Sequence, residues 1–145
     1  METAADGPVM RWLLDTNYLS ELRKSERANR GVLAWSLGHD PVQAAVSVVS
    51  VGEIRKGIEN KRRTDLPQAR ALAEWFAGVL VEFETNILPV TIEIAQRWGL
   101  LLSKVAGAER DMLIAATALE HDLTLVTRNV SDFAGTGVRV VNPWK

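Results

Sequence analysis

Asp111-Met112-Leu113-Ile114-Ala115-Ala116-Thr117-Ala118-Leu119-Glu120-His121, followed almost at once by Leu123-Thr124-Leu125-Val126-Thr127-Arg128-Asn129, is the stretch on which the fold turns. Residues 111–121 are apolar nearly all round, which marks a helix buried on every side. Residues 123–126 read as a short buried strand. A buried helix that passes into a strand with no hairpin signal belongs to the crossover of a parallel sheet.

The same alternation recurs outward from this unit. Residues 9–14 read as the first strand, Thr16 and Asn17 as helix caps, and 18–24 as the first helix. Residues 28–37 carry Val32, Leu33, Trp35 and Leu37 and predict a second helix ending at Gly38. After the Asp40-Pro41 turn, 44–49 is the second strand, and Ser50 caps a helix over 51–61. A polar connection over 61–67 leads to a helix over 68–81, with Ala69, Leu72, Ala73, Phe76 and Leu80 at helical spacing. Residues 87–90 are a strand, Thr91 caps a helix over 92–105, and Gly107 breaks the chain. Residues 138–141 are the last strand, stopped by Asn142-Pro143. The expectation is an α/β three-layer sandwich, a mostly parallel five-stranded sheet between two helical layers. Residues 1–9 read as a flexible N-terminal extension and 10–145 as a single domain.

A chain of 145 residues is long enough to bury a substantial core. It has no cysteine, which excludes a disulfide scaffold, an iron–sulfur cluster and a thiolate metal site. Two histidines, His39 and His121, make a histidine-rich zinc site unfavourable. The net charge of −1 leaves any attraction to phosphate to local patches. No apolar run approaches the roughly 18 residues that cross a bilayer, and the acidic start is not a secretory signal; the expected location is cytoplasmic, with no membrane partner.

Four acids stand at suggestive places. Asp15 ends the first strand, Glu53 follows the second, Asp111 opens the buried helix, and Asp132 lies just past the strand 123–126. The carboxyl ends of strands in an open α/β sheet face the ligand crevice. Carboxylates gathered there repel one another unless a cation sits among them, and hard divalent ions such as Mg²⁺ choose oxygen ligands. Singly, each acid has an ordinary explanation. Asp15 and Asp111 are favourable charges at helix N-termini, and Asp132 starts a turn. Glu53 points away from the apolar face of Val51, Ile54 and Ile58, so periodicity alone makes it a solvated side chain. The joint placement is the stronger signal.

Asp15-Thr16-Asn17 with Ser20-Glu21, Glu53 after the second strand, the run 111–118, and Leu125-Val126-Thr127-Arg128-Asn129 with Asp132-Phe133 together resemble a PIN-domain ribonuclease. The similarity is greatest to the VapC toxins of bacterial toxin–antitoxin pairs, including the FitB-like branch, and it runs from Met10 to the C-terminus. This resemblance implies a Mg²⁺- or Mn²⁺-dependent endoribonuclease with Asp15, Glu53 and Asp111 as the three central acids. Asn129 or Asp132 fills the fourth place; Asp132 is favoured as the charged member and Asn129 as a polar neighbour or water-mediated ligand. It also implies an RNA substrate, a homodimer and a small VapB-like antitoxin that occludes the site. Many relatives carry a proline just before the third acid, where this chain has Gly107-Ala108-Glu109-Arg110, which puts the shape of that loop in question.

Phosphodiester hydrolysis needs an activated water, neutralised charge and a stabilised leaving oxygen, and divalent ions supply all three. Asp15 and Asp111 are expected to bind the ion most directly, with Glu53 and Asp132 holding its waters or a second ion. Asn17 and Thr127 are expected to support the acids, and Arg128 to grip phosphate bidentately. Further basic residues, among them Arg23, Lys24, Arg55, Arg62 and Arg63, offer a rim. The five tryptophans are expected mainly in packing. Leu19, Leu22, Val32, Leu33 and Leu37 are candidates for an antitoxin groove. A haloacid-dehalogenase reading fails because Asn17 stands where that chemistry needs a second acid. The competing non-enzyme reading is a PIN-like module that binds RNA or a partner without cutting.

Overall fold

The computed structural model describes residues 9–145. Among them β1 (Trp12–Leu14), β2 (Ala44–Ser47), β3 (Ile87–Leu88), β4 (Thr124–Val126) and β5 (Val140–Val141) pair in the order β3-β2-β1-β4-β5, every pair parallel. The helices are α1 (Thr16–Leu22), α2 (Arg30–Leu37), α3 (Val48–Arg62), α4 (Leu66–Glu82), α5 (Ile92–Lys104) and α6 (Glu109–Glu120). The expected extension over 1–9 falls almost wholly on residues 1–8, which lie outside the described residues. Among those described, no helix is long and apolar enough to cross a membrane.

Successive strand residues point to opposite faces, and this alternation builds two cores. Leu14, Ala44, Val46 and Val126 face α1–α4 and pack with Tyr18, Val32, Ile58 and Phe76. Leu13, Ala45 and Leu125 face the other way, onto Ile114, Ala115 and Ala118 of α6. Leu13, Leu125 and Ile114 are each at most 1 % exposed. Burying such a side chain contributes about 1.5–3 kcal/mol. The three-layer sandwich expected from the alternation is therefore the architecture found.

Several boundaries differ from the sequence reading, each for a local reason. Strand β2 stops at Ser47, whose hydroxyl accepts from the Val49 N–H at 3.0 Å and so caps α3. Helix α3 thus starts three residues earlier than expected, and Ser50 lies inside it, buried. Asp15 itself caps α1, accepting from the Thr16 N–H at 2.8 Å, so Thr16 and Asn17 are helical rather than capping. Asp65 caps α4 with Pro67 in its first turn, where the missing N–H is no loss. Thr91 caps α5 as expected.

The tryptophans pack. Trp12 meets Trp35 edge-on at 5.1 Å, Tyr18 contacts Trp35 and Trp144 edge-on, and His39 stacks on Trp35 at 3.9 Å. The indole N–H of Trp98 donates to the Glu109 carbonyl at 2.9 Å and ties α5 to α6. The C-terminus folds back onto α2. Asn29 caps α2 through Oδ1, which also accepts from the Lys145 N–H at 3.0 Å, while its Nδ2 donates to the Lys145 carbonyl at 2.7 Å. Gly31 permits this approach, because a Cβ there would collide with the Pro143 carbonyl and sit 2.7 Å from Lys145 Cγ.

Candidate active site

Asp15 follows β1 directly, and its N–H donates to the Val126 carbonyl at 3.0 Å, which fixes it where β1 and β4 end. In a parallel sheet the next helix leaves from that edge, and the helix entering β4 begins there. The N-terminal turns of α1, α3 and α6 therefore meet at one rim. They bring Asp15, Glu53 and Asp111 to an open cleft of about 370 Å³ lined also by Thr16, Asn17, Arg110 and Asn129.

Asp15 is 1 % exposed. Its Oδ2 accepts from the Thr127 hydroxyl at 2.8 Å, and its Oδ1 from the Thr16 N–H at 2.8 Å and from Arg110 Nη2 at 2.6 Å. Thr127, fully buried, accepts in turn from Asn17 Nδ2 and the Asn129 N–H, both at 3.1 Å. Thr127 thus holds the Asp15 carboxylate through one hydroxyl, and Asn17 in turn holds that hydroxyl.

Glu53 is not the solvated side chain that its helical phase implied. On α3 Glu53 lies one turn beyond buried Ser50 and next to buried Ile54, where Thr16 of α1 reaches it. The Thr16 hydroxyl donates to its Oε1 at 2.6 Å and lies 2.8 Å from Ser50 Oγ. Arg110 Nε and Nη2 grip its two oxygens at 2.8 and 2.7 Å. Burial pushes the Glu53 carboxyl up, but the hydrogen bonds from Arg110 and Thr16 outweigh it and hold the group below its ordinary pKa.

Asp111 lies in the first turn of α6 and meets Arg110 Nη1 only at 3.3 Å. Burial raises its pKa above the ordinary value; Arg110 opposes this, and the charges of Asp132 and Asp15 add to it. Asp132 is exposed on the short turn 130–133, outside the lining of the cleft, though its charge reaches Asp111. Asn129 lines the cleft itself. Arg128 is not in the cleft: its guanidinium lies 5.9 Å over the Trp144 ring, with Glu21 within its field. His39 is committed to the aromatic stack and His121 closes α6, so neither lines the cleft.

The residue that sequence reasoning missed is Arg110. Burial opposes its charge, but the hydrogen bonds and charges of Glu53 and Asp15 outweigh this and raise its pKa further. The one available signal was its position immediately before Asp111.

Residues 12–137 match the family model described as the PIN domain. The chain belongs to the PIN-domain family. This PIN domain is 34 % identical over 143 residues to the VapC ribonuclease Y4jK of Sinorhizobium fredii, covering 92 % of this chain and 97 % of that protein. It is 30 % identical over 138 residues to the toxin FitB of Neisseria gonorrhoeae, covering 91 % and 97 %. The crystal structure of FitAcB from Neisseria gonorrhoeae superposes with a TM-score of 0.84 at 31 % identity, covering 92 % of this chain and 98 % of that one.

The donors in the cleft of this PIN domain suit a hard divalent ion, since all are oxygens and most are carboxylates. Three carboxylates face one guanidinium, a formal surplus of two negative charges. The guanidinium already marks the point where positive charge is stabilised. Among the described residues, no three acids stand close enough to hold an ion as they are placed.

Proposed function

We propose that this PIN domain is an endoribonuclease, the toxin of a toxin–antitoxin pair, which hydrolyses RNA at its carboxylate cleft with Mg²⁺ or Mn²⁺. The observation that carries the reading is the convergence of Asp15, Glu53 and Asp111 on one guanidinium at the carboxyl edge of the sheet. In the reaction, water adds to phosphorus, the bond to the leaving ribose oxygen breaks, and a proton ends on that oxygen. A bound divalent ion would lower the pKa of water and offset charge on phosphate. Asp15, Glu53 and Asp111 would hold it, with Asn129 or Asp132 at the rim. Thr127 and Thr16 keep the first two carboxylates aimed into the cleft. No histidine lies there to serve as a general base, which supports ion-assisted chemistry. Arg128, exposed over Trp144 and outside the cleft, would meet a phosphate only beyond the acids.

The antitoxin's seat is a separate apolar cavity of about 350 Å³ on the α1–α2–α4 side, walled by Trp12, Leu14, Tyr18, Leu19, Leu22 and Trp35. Of the five residues expected to form part of an antitoxin groove, Leu19 and Leu22 line this cavity and Leu33 does not. Val32 is instead wholly inside the core, and Leu37 is 88 % exposed and absent from its wall. The Trp12 indole N–H is buried at this cavity without a hydrogen-bond partner among the described residues.

The test is cleavage of total bacterial RNA by the purified protein in Mg²⁺ or Mn²⁺, with chelator, and with Asp15→Asn and Asp111→Asn. Discrete metal-dependent products, lost in both variants, are expected. A folded protein that cuts nothing would favour the non-cleaving module.

A further inference from the structure

We propose that Arg110 is a built-in counter-ion that competes with the divalent ion for the carboxylates, so that the ion binds with its full ligand set only after the guanidinium has left. The inference rests on reading the cleft as a metal site. Both oxygens of Glu53 are taken by Arg110, one of them shared with Thr16. Both oxygens of Asp15 are also taken, one by Thr127, the other by Arg110 and the Thr16 N–H. Asp111 alone is loosely engaged, at 3.3 Å. An arriving cation can reach Asp111 directly, but Glu53 and the open side of Asp15 only in exchange for the guanidinium. The two cannot share the position, because like charges at contact distance repel strongly in a partly desolvated cleft.

Arg110 is suited to this exchange. It stands in the first turn of α6, and its side chain is 29 % exposed at an open cleft, so rotation about its own bonds carries the guanidinium to solvent while α6 stays in place. Its planar fork matches Glu53 bidentately while one nitrogen bridges to Asp15, which an ammonium cannot reproduce. The apparent affinity for the ion is then its intrinsic affinity reduced by the fraction of molecules with the cleft open.

The experiment is direct Mn²⁺ binding, by calorimetry and by the loss of the free-ion electron paramagnetic resonance signal. Wild type, Arg110→Gln, Arg110→Lys and Lys56→Gln are compared, with Asp15→Asn as the site control and thermal unfolding with and without Mn²⁺ in parallel. Lys56 is the field control, because its charge reaches Glu53 through space without gripping it. Arg110→Gln should bind Mn²⁺ at least about tenfold tighter than wild type, which is about 1.4 kcal/mol. Its metal-free melting temperature should fall and its Mn²⁺-induced rise should grow. Arg110→Lys should lie between the two, and it carries the test if Arg110→Gln does not fold. Lys56→Gln should change affinity less than about twofold. Equal or weaker binding by the Arg110 variants overturns the proposal, as does a Lys56→Gln effect of the same size; Asp15-dependent binding would then leave the metal site standing. No Mn²⁺ binding by any of them sinks the metal reading and this inference with it.

Discussion

Thr127→Val isolates the hydroxyl that holds the most buried acid of the cleft. Valine keeps nearly the shape of threonine and suits the end of a strand, so the change removes chemistry and little volume. The bond lost is the 2.8 Å donation to Asp15 Oδ2, and Asp15 is only 1 % exposed. Hydrogen bonds to charged groups contribute about 1.5–3 kcal/mol, and a buried oxygen left without a donor carries its own desolvation penalty. The Asn129 N–H and Asn17 Nδ2 lose their acceptor too, but Asn129 is exposed and Asn17 half-buried, so water replaces much of that loss. The backbone bond from the Thr127 N–H to the Val141 carbonyl, at 3.0 Å, is untouched. The expected loss is about 2–3 kcal/mol, read as a lowered urea midpoint with an unchanged slope. Thr127→Ser keeps the hydroxyl and deletes one methyl, a loss of about 1 kcal/mol. The order wild type, then serine, then valine is the signature of the bond. A valine variant as stable as the serine variant would refute the reasoning and mean that Thr127 acts only by filling space.

The pH dependence of stability should divide between Glu53 and Asp111 by sign. Glu53 has its folded pKa lowered, so its contribution is present above the unfolded value and lost as pH falls through the folded one; Asp111 has its folded pKa raised, so stability falls as pH rises from the unfolded value through the folded one. Urea midpoints between about pH 6 and 3 should therefore drop less in Glu53→Gln than in wild type, and more in Asp111→Asn; a common pH profile would contradict both assignments. Gly31→Ala should force the C-terminal residues off α2, because the new Cβ collides with the Pro143 carbonyl. Overpacking of this kind costs about 1–3 kcal/mol, and amide exchange of Asn142, Trp144 and Lys145 should accelerate; unchanged protection there would show that the tail does not need glycine at this position.

The sheet and its two helical layers were legible because each rests on local periodicity that tertiary contacts reinforce. Residues 111–121 are buried all round and flanked by a strand, and the structure puts Ile114, Ala115 and Ala118 in one core and Leu125 beside them. Asp15 and Asp111 were legible because one follows a strand directly and the other lies in the first turn of a buried helix. Glu53 was half-legible. Its position after the second strand was legible, but its direction was not: helical phase sets it to one side of buried Ser50 and Ile54, and Thr16 and Arg110, distant in sequence, hold it at the cleft. Arg110 could not be read at all from local pattern, because its partners Glu53 and Asp15 lie 57 and 95 residues away. Arg128 was placed near the cleft by sequence adjacency to Thr127, yet its side chain lies over Trp144, a residue that arrives only because the C-terminus folds back.

The clustering of acids is therefore a property of topology before it is one of chemistry. With β2 and β4 on either side of β1, the chain leaves β1 toward one neighbour and enters the other much later, so a crevice opens at the carboxyl end of β1. The N-terminal turns of α1, α3 and α6 face that crevice and bring Asp15, Glu53 and Asp111 to it. The N-terminal helix dipoles of the same turns present partial positive charge to that crevice, which lowers the repulsion among acids without removing it. One guanidinium cancels a single charge of the three. A binding module with no need for a cation could relieve the remainder by carrying an amide in place of one acid. Keeping Asp15, Glu53 and Asp111 ionisable together around one guanidinium leaves a deficit of positive charge that a divalent ion would fill and that arginine fills only in part.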